Sequence, residues 1–127
     1  MIFGIGCDIV NTERFKNLID DKKFLLRYFN EKELPLEEKM TRQALCEHYA
    51  SRFAAKEAFS KALGTGFKGF KLKDVFVEKE EGGKPFISVE KQALEIKNKM
   101  CGNNASVFLS ISHEKENVVA IVVIERG

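Results

Sequence analysis

Tryptophan is missing from this 127-residue chain, proline occurs only twice, and no two of its three cysteines form a C-x-x-C pair. Eleven phenylalanines stand in for tryptophan, so the core is expected to rest on phenylalanine. Cys7, Cys46 and Cys101 are odd in number and scattered. That pattern excludes a disulfide framework or a cysteine zinc site and suits free thiols in a reducing compartment. No apolar run approaches the roughly 20 residues of a membrane span. Met1 to Asp8 carries no basic segment and meets a charge early, so no secretory signal is expected and the anticipated location is cytoplasmic. A net charge of +2 is too small for a strongly basic nucleic-acid binder. Repeats, low-complexity tracts and linkers are lacking as well.

What is present has an ordinary globular balance, 44% hydrophobic and 31% charged. One domain spanning residues 1–127 is expected. Its organising stretch is a helix predicted from Thr41 to Leu63 and stopped by Gly64. At about 100° per residue, Leu45, Tyr49, Phe53, Phe59, Leu63 and five alanines cover nearly every side of it. A helix apolar all round is normally buried. Glu57 nevertheless falls between Phe53 and Ala54 on the wheel, and Lys61 lies about 40° from Glu57, one turn on. Burying a carboxylate costs several kcal/mol unless a cation, a metal or hydrogen bonds compensate it.

Ile2 to Val10 reads as an opening strand at the centre of a sheet, ending in Asp8-Ile9-Val10. Asp8 is either a cap for the next turn or a ligand or acid/base group at the strand's carboxyl end. Asn11 or Thr12 is suited to cap a helix bearing Phe15, Leu18 and Ile19. A second helical stretch carries Phe24, Leu25, Leu26, Tyr28 and Phe29, and Asn30 to Glu33 has the spacing of a capping box. Arg14, Lys16, Lys22, Lys23 and Arg27 make this region's exposed face basic. Such a face is by default solvated, but it also suits an acidic partner. Pro35 and Glu37 to Lys39 mark a surface link to the long helix.

Val75–Lys79 and Pro85–Val89 are expected as a hairpin joined by glycines, followed by a helix from Glu90 to Met100. Ser106–Ser112 alternates, placing Val107, Leu109 and Ile111 on one face. Val118–Ile124 is apolar on both faces and is predicted central and buried. The order points to an α+β domain.

Asp8 and Glu57 are the two carboxylates in apolar settings, and oxygen ligands of this kind suit Mg²⁺ or Mn²⁺. Lys61 is either the ion-pair partner of Glu57 or a group for a phosphate or leaving group. His113 ends an apolar strand and serves either its own turn or a site, while His48 is assigned a structural place. Gly64-Thr65-Gly66 lacks the Lys-Ser/Thr of a P-loop and reads as a helix cap and turn.

Four segments occur together in a distinctive order: Gly4-Ile-Gly-Cys-Asp-Ile-Val10, Arg52 to Gly66, Gly83-Lys-Pro85 and Ser110-Ile-Ser-His113. In these the chain resembles the holo-acyl-carrier-protein synthases of the short, trimeric type, small 4′-phosphopantetheinyl transferases of fatty acid synthesis. The resemblance covers nearly the whole chain and implies a small antiparallel-rich sheet packed around a long central helix. It implies transfer of the phosphopantetheine arm of coenzyme A to a serine of apo-acyl carrier protein, with release of adenosine 3′,5′-bisphosphate. On it, Asp8 and Glu57 become Mg²⁺ ligands and Lys61 contacts the phosphates, the three forming the catalytic set. Arg52, Lys61, Gly64, Lys84, Pro85 and His113 become nucleotide contacts. Arg14, with Lys22, Lys23 and Arg27, becomes the dock for the acidic carrier. The active sites of such enzymes lie between the subunits of a homotrimer, with neither nucleic acid nor membrane as a partner. The general base stays open among Glu57, a metal-ordered water and another carboxylate. Cys7 and Asn30 depart from residues common in the family. The rival readings are a non-catalytic binding module and an oligomerisation domain.

Overall fold

The long helix sets the frame, and the sheet is laid on it. The structure, a computed structural model, describes residues 1–35 and 39–127, so Glu37 and Glu38 of the expected link lie outside the described residues. The elements run β1 (Ile2–Asn11), α1 (Lys22–Tyr28), α2 (Arg42–Leu63), β2 (Val75–Lys79), β3 (Pro85–Val89), α3 (Lys91–Cys101), β4 (Ser106–Glu114) and β5 (Asn117–Glu125). This is the α+β arrangement the pattern predicts. Helix α2 starts where the Thr41 hydroxyl accepts a hydrogen bond from the Ala44 amide. It stops at Gly64, whose φ of 84° is the left-handed conformation that glycine adopts without strain.

Two antiparallel sheets form, one ordered β1-β5-β4 and the other β2-β3. Strand β1, expected at the centre, lies at an edge. Helix α2 packs on its glycine-bearing face, and β5 takes the middle of the sheet. Residues Gly4, Gly6, Asp8 and Val10 share the face turned to the helix. A Cβ on Gly6 would collide with the Ala58 carbonyl and one on Gly4 with the Ala62 carbonyl. The two backbones therefore approach to a distance that only glycine allows.

The helix expected after Asn11 is instead two short 3₁₀ turns, Thr12–Phe15 and Leu18–Asp20, with Asn11 accepting from the Glu13 amide. Phe15, Phe24, Phe29, Tyr49 and Phe53 interlock with ring centroids 4.9–6.5 Å apart, mostly edge to face. The phenylalanine core is thus borne out.

Strand β5 buries Val118, Ala120, Val122 and Ile124 against α2, while among the described residues its other face stays half-buried to exposed. Register places Ile5 and Phe108 beside Val123, and Cys7 and Ser110 beside Ile121. Ile5, Ile9, Phe108 and Ile121 are 42–64% exposed on that outer face. The prediction that β5 is buried on both sides holds for one side only.

Candidate active site

Alternation along β1 turns Asp8 toward α2, where Lys61 meets it. Lys61 Nζ donates to Asp8 Oδ1 at 3.0 Å and to the Cys7 carbonyl at 3.0 Å. Of the two readings of this lysine, the ion pair with Glu57 is not formed; its direct partner is Asp8. The bond to Asp8 and its charge hold the Lys61 ammonium above its usual range. Glu57 sits one turn back on the same side of the helix, half-buried rather than buried. Burial first, then the negative charge of Asp8, raises its pKa, while Lys61 and Arg14 pull it down. Arg14 packs its guanidinium over the Phe53 ring, 5.5 Å from the centroid. Strand, helix and the first 3₁₀ turn therefore bring Asp8, Glu57, Lys61 and Arg14 into one electrostatic group.

A second group forms on another side of α2. An open cavity of about 500 Å³ is lined by Arg52, His113, Gly83 and Pro85, together with His48, Ser51 and Lys79. His113 continues the inward row of Val107, Leu109 and Ile111, and its strand runs on to Glu114 instead of ending before it. Arg52 donates from Nη1 to Ser51 Oγ at 3.0 Å, while its Nε is buried without a hydrogen-bond partner. Burial lowers the Arg52 pKa, and Glu33 opposes that shift. Arg52 and Lys61, nine residues apart, lie about 180° around the helix from each other. Asp8, Glu57 and Lys61 do not line the cavity. Lys84 is exposed in the hairpin turn and Gly64 at the helix end, both outside the cavity lining. Lys22, Lys23 and Arg27 lie exposed on α1, Arg27 with its guanidinium 5.3 Å from the Tyr28 ring centroid.

The most deeply buried charges were not singled out by the sequence. Lys56 and Glu33 form an ion pair with both side chains fully enclosed. Lys56 also donates to the Leu72 and Val75 carbonyls. Glu33 accepts from the Val77 amide through Oε2 and from the Asn30 amide through Oε1. The capping box predicted at Asn30–Glu33 is present, and its glutamate does double duty as the anchor of Lys56. A signal was available: Lys56 is seven residues from both Tyr49 and Leu63, on the same buried stripe.

His48 binds the Glu33 carbonyl through Nε2, consistent with a structural place, but its ring also lines the cavity. Burial, then the charge of Arg52, lowers its pKa from 6.5 to about 4. Between these values the unfolded chain takes up a proton that the folded one refuses, so acidification favours unfolding. Chemical denaturation at pH 7 and at pH 4.5 should show a loss from this residue of about 2 kcal/mol. His48→Phe should lose less over the same interval; an identical loss would remove His48 as the cause.

The donors of the first group fit a divalent cation of the Mg²⁺ kind. Asp8 and Glu57 are close enough for one charge to raise the pKa of the other, a repulsion that a bound cation relieves. Among the described residues no group of three or more His, Cys, Asp or Glu side chains gathers as a metal cage. Mg²⁺ commonly takes one or two carboxylates and completes its shell with water and phosphate oxygens.

A strand aspartate set against a helix glutamate on this α+β frame belongs to a recognisable class. The 4′-phosphopantetheinyl transferase superfamily is matched by its sequence model over residues 4–122. Within it, the chain belongs to the holo-[acyl-carrier-protein] synthases. It is 44% identical to that enzyme of Treponema denticola, over 98% of this chain and 99% of the relative. The Clostridium perfringens enzyme is 45% identical over 98% and 95%. A Bacillus anthracis holo-(acyl-carrier-protein) synthase crystallised with CoA (3′,5′-ADP) superposes with a TM-score of 0.81, at 38% identity and over 100% and 99% of the two chains. The Helicobacter pylori synthase in complex with coenzyme A gives a TM-score of 0.77 at 31% identity, over 95% and 99%. No described helix is long and apolar enough to cross a membrane.

Proposed function

We propose that this protein transfers the 4′-phosphopantetheine of coenzyme A to a serine hydroxyl of apo-acyl carrier protein for fatty acid biosynthesis in the cytoplasm. The observation that carries the proposal is the group of Asp8, Glu57 and Lys61 beside Arg14. In the reaction the serine oxygen bonds to the phosphorus bearing pantetheine. The P–O–P link breaks on its far side, and adenosine 3′,5′-bisphosphate leaves. Asp8 and Glu57 are the residues that would hold Mg²⁺, or Mn²⁺ in its place. Such a bound ion neutralises charge on the pyrophosphate oxygens.

Lys61 is an exposed ammonium at the rim of this group. It is placed to donate to the departing phosphate, exchanging part of its bond to Asp8 for one to substrate. Arg52 and His113, with Pro85 and Gly83 behind them, offer cationic and hydrogen-bonding walls for the nucleotide. Lys84 and Gly64 stand at the margins of the two groups and take weaker parts. The serine proton would pass to Glu57, a metal-ordered water or another carboxylate.

The opposed placement of the two groups supports a composite site. Asp8, Glu57 and Lys61 of one chain would face the Arg52–His113 cavity of a neighbour. The apolar outer face of the β1-β5-β4 sheet, with Ile5, Ile9, Phe108 and Ile121 exposed, is the surface that a homotrimer would cover. Glu57→Ala and Arg52→Ala chains, each defective alone, should recover transfer when unfolded together and refolded as a mixture. Recovery no greater than the sum of the separate preparations would reject a shared site.

The basic face gives the acidic carrier its dock. Arg14 lies beside Glu57, with Lys22, Lys23 and Arg27 on α1. In Arg14→Glu the KM for carrier should rise by roughly tenfold or more, because a favourable contact becomes a repulsive one. The KM for coenzyme A should stay within about twofold. Equal losses for both substrates would refute the docking assignment.

A further inference from the structure

Ser51 lies on the cavity side of α2, only 8% exposed, and no part of the reaction described above uses it. Its hydroxyl donates to the His48 carbonyl at 2.8 Å, one turn back along the helix. That bond spends the hydroxyl hydrogen and fixes the χ1 rotamer, leaving the oxygen's lone pairs turned outward. Arg52 uses one of them, placing Nη1 at 3.0 Å. Among the described residues no carboxylate forms an ion pair with the guanidinium; the acidic charge that acts on it is Glu33, which is engaged by Lys56, Val77 and Asn30. Its Nε is buried and unpartnered, so the hydrogen bond to Ser51 is the tether the structure gives it.

We infer that Ser51 is a positioning residue, which fixes the Arg52 guanidinium at the cavity wall so that its remaining donors meet a phosphate of the nucleotide. The inference rests on the proposed role of Arg52 as a phosphate contact. A serine suits the task better than an anionic partner. An aspartate or glutamate here would hold the guanidinium as firmly, but its charge would compete with the incoming phosphate. A neutral acceptor orients the fork and leaves its full charge for the ligand. Preorganisation of this kind lowers the ordering cost of binding without adding a contact to the ligand.

The test combines kinetics with direct binding. Ser51→Ala retains a good helix former and should fold, with its circular dichroism and oligomeric size unchanged. The dissociation constant for adenosine 3′,5′-bisphosphate, measured calorimetrically, should rise roughly fivefold, the scale of one net hydrogen bond. The KM for coenzyme A should rise by a similar factor while kcat stays within about twofold. In an Arg52→Ala background the same Ser51→Ala change should have no further effect, because its only route to the ligand has been removed. Full affinity in Ser51→Ala beside weakened affinity in Arg52→Ala overturns the inference and leaves the phosphate role of Arg52 standing. An undiminished Ser51→Ala effect in the Arg52→Ala background also overturns it. Unchanged affinity in Arg52→Ala alone overturns the phosphate role itself, and the inference with it.

Discussion

Lys56→Met should cost about 3–5 kcal/mol of stability. The ammonium is fully enclosed and has three partners: Glu33 and the carbonyls of Leu72 and Val75. Methionine fills much the same volume but leaves a carboxylate and two carbonyls facing apolar atoms. Burial already lowers the Lys56 pKa, and the attraction of Glu33 opposes that shift. The consequences reach beyond the pair, because Glu33 also binds the Val77 amide of the hairpin and caps its own turn through Asn30. The pair thus fastens the β2-β3 sheet to the middle of α2. Urea denaturation should show the midpoint falling with little change in slope. Glu33→Gln combined with Lys56→Met should recover part of the loss, since no unpaired charge remains. A single-variant loss below about 1 kcal/mol would show that the pair is solvated and not a fastening.

Glu57→Gln should lower transfer by at least about 100-fold while leaving the fold intact, since several kcal/mol of transition-state stabilisation would go with one anionic ligand. Glutamine keeps the shape of the side chain and removes the charge. Relief of the repulsion with Asp8 should leave the apo-protein as stable as wild type or slightly more so. Less activity at undiminished stability is the signature of a residue kept for function. Asp8→Asn should match it in activity. It should differ in structure, because Asp8 is the direct partner of Lys61 and its loss frees that side chain. The affinity for Mg²⁺, followed by calorimetry, should fall in both variants. If either retained wild-type affinity for the ion, the assignment of that carboxylate as a ligand would be wrong.

Much of this arrangement was legible in the sequence because its local signals are strong. The Thr41 cap and Gly64 stop bracket α2 to within a residue, and the strands of the glycine-linked hairpin fall where alternation puts them. Asp8 and Glu57 stood out as charges among apolar neighbours, and the structure places them close enough to perturb one another. What periodicity could not supply was long-range partnership. The enclosure of Lys56 depends on Glu33, 23 residues earlier in the chain; its place on the buried stripe of α2 is local, but the identity of its partner is not. Likewise, β5 read as apolar on both faces, but only packing decides which face α2 covers. The position of β1 at the sheet edge is set by its pairing with β5, a long-range partnership that local alternation does not encode. The separation of Arg52 from Lys61 around the helix was implicit in their nine-residue spacing, although it gains meaning only once the cavity wall of His113 and Pro85 is in place.

The most direct measurement is the mass of the carrier. Apo-acyl carrier protein, coenzyme A, Mg²⁺ and the protein are incubated together, and the carrier is weighed by intact-protein mass spectrometry. Its mass should rise by one phosphopantetheine, adenosine 3′,5′-bisphosphate should appear in equal amount, and both should be lost with EDTA or in Glu57→Gln. A carrier of unchanged mass in the complete mixture, or a gain that survives both EDTA and Glu57→Gln, would contradict the proposed transfer at the Asp8–Glu57 pair.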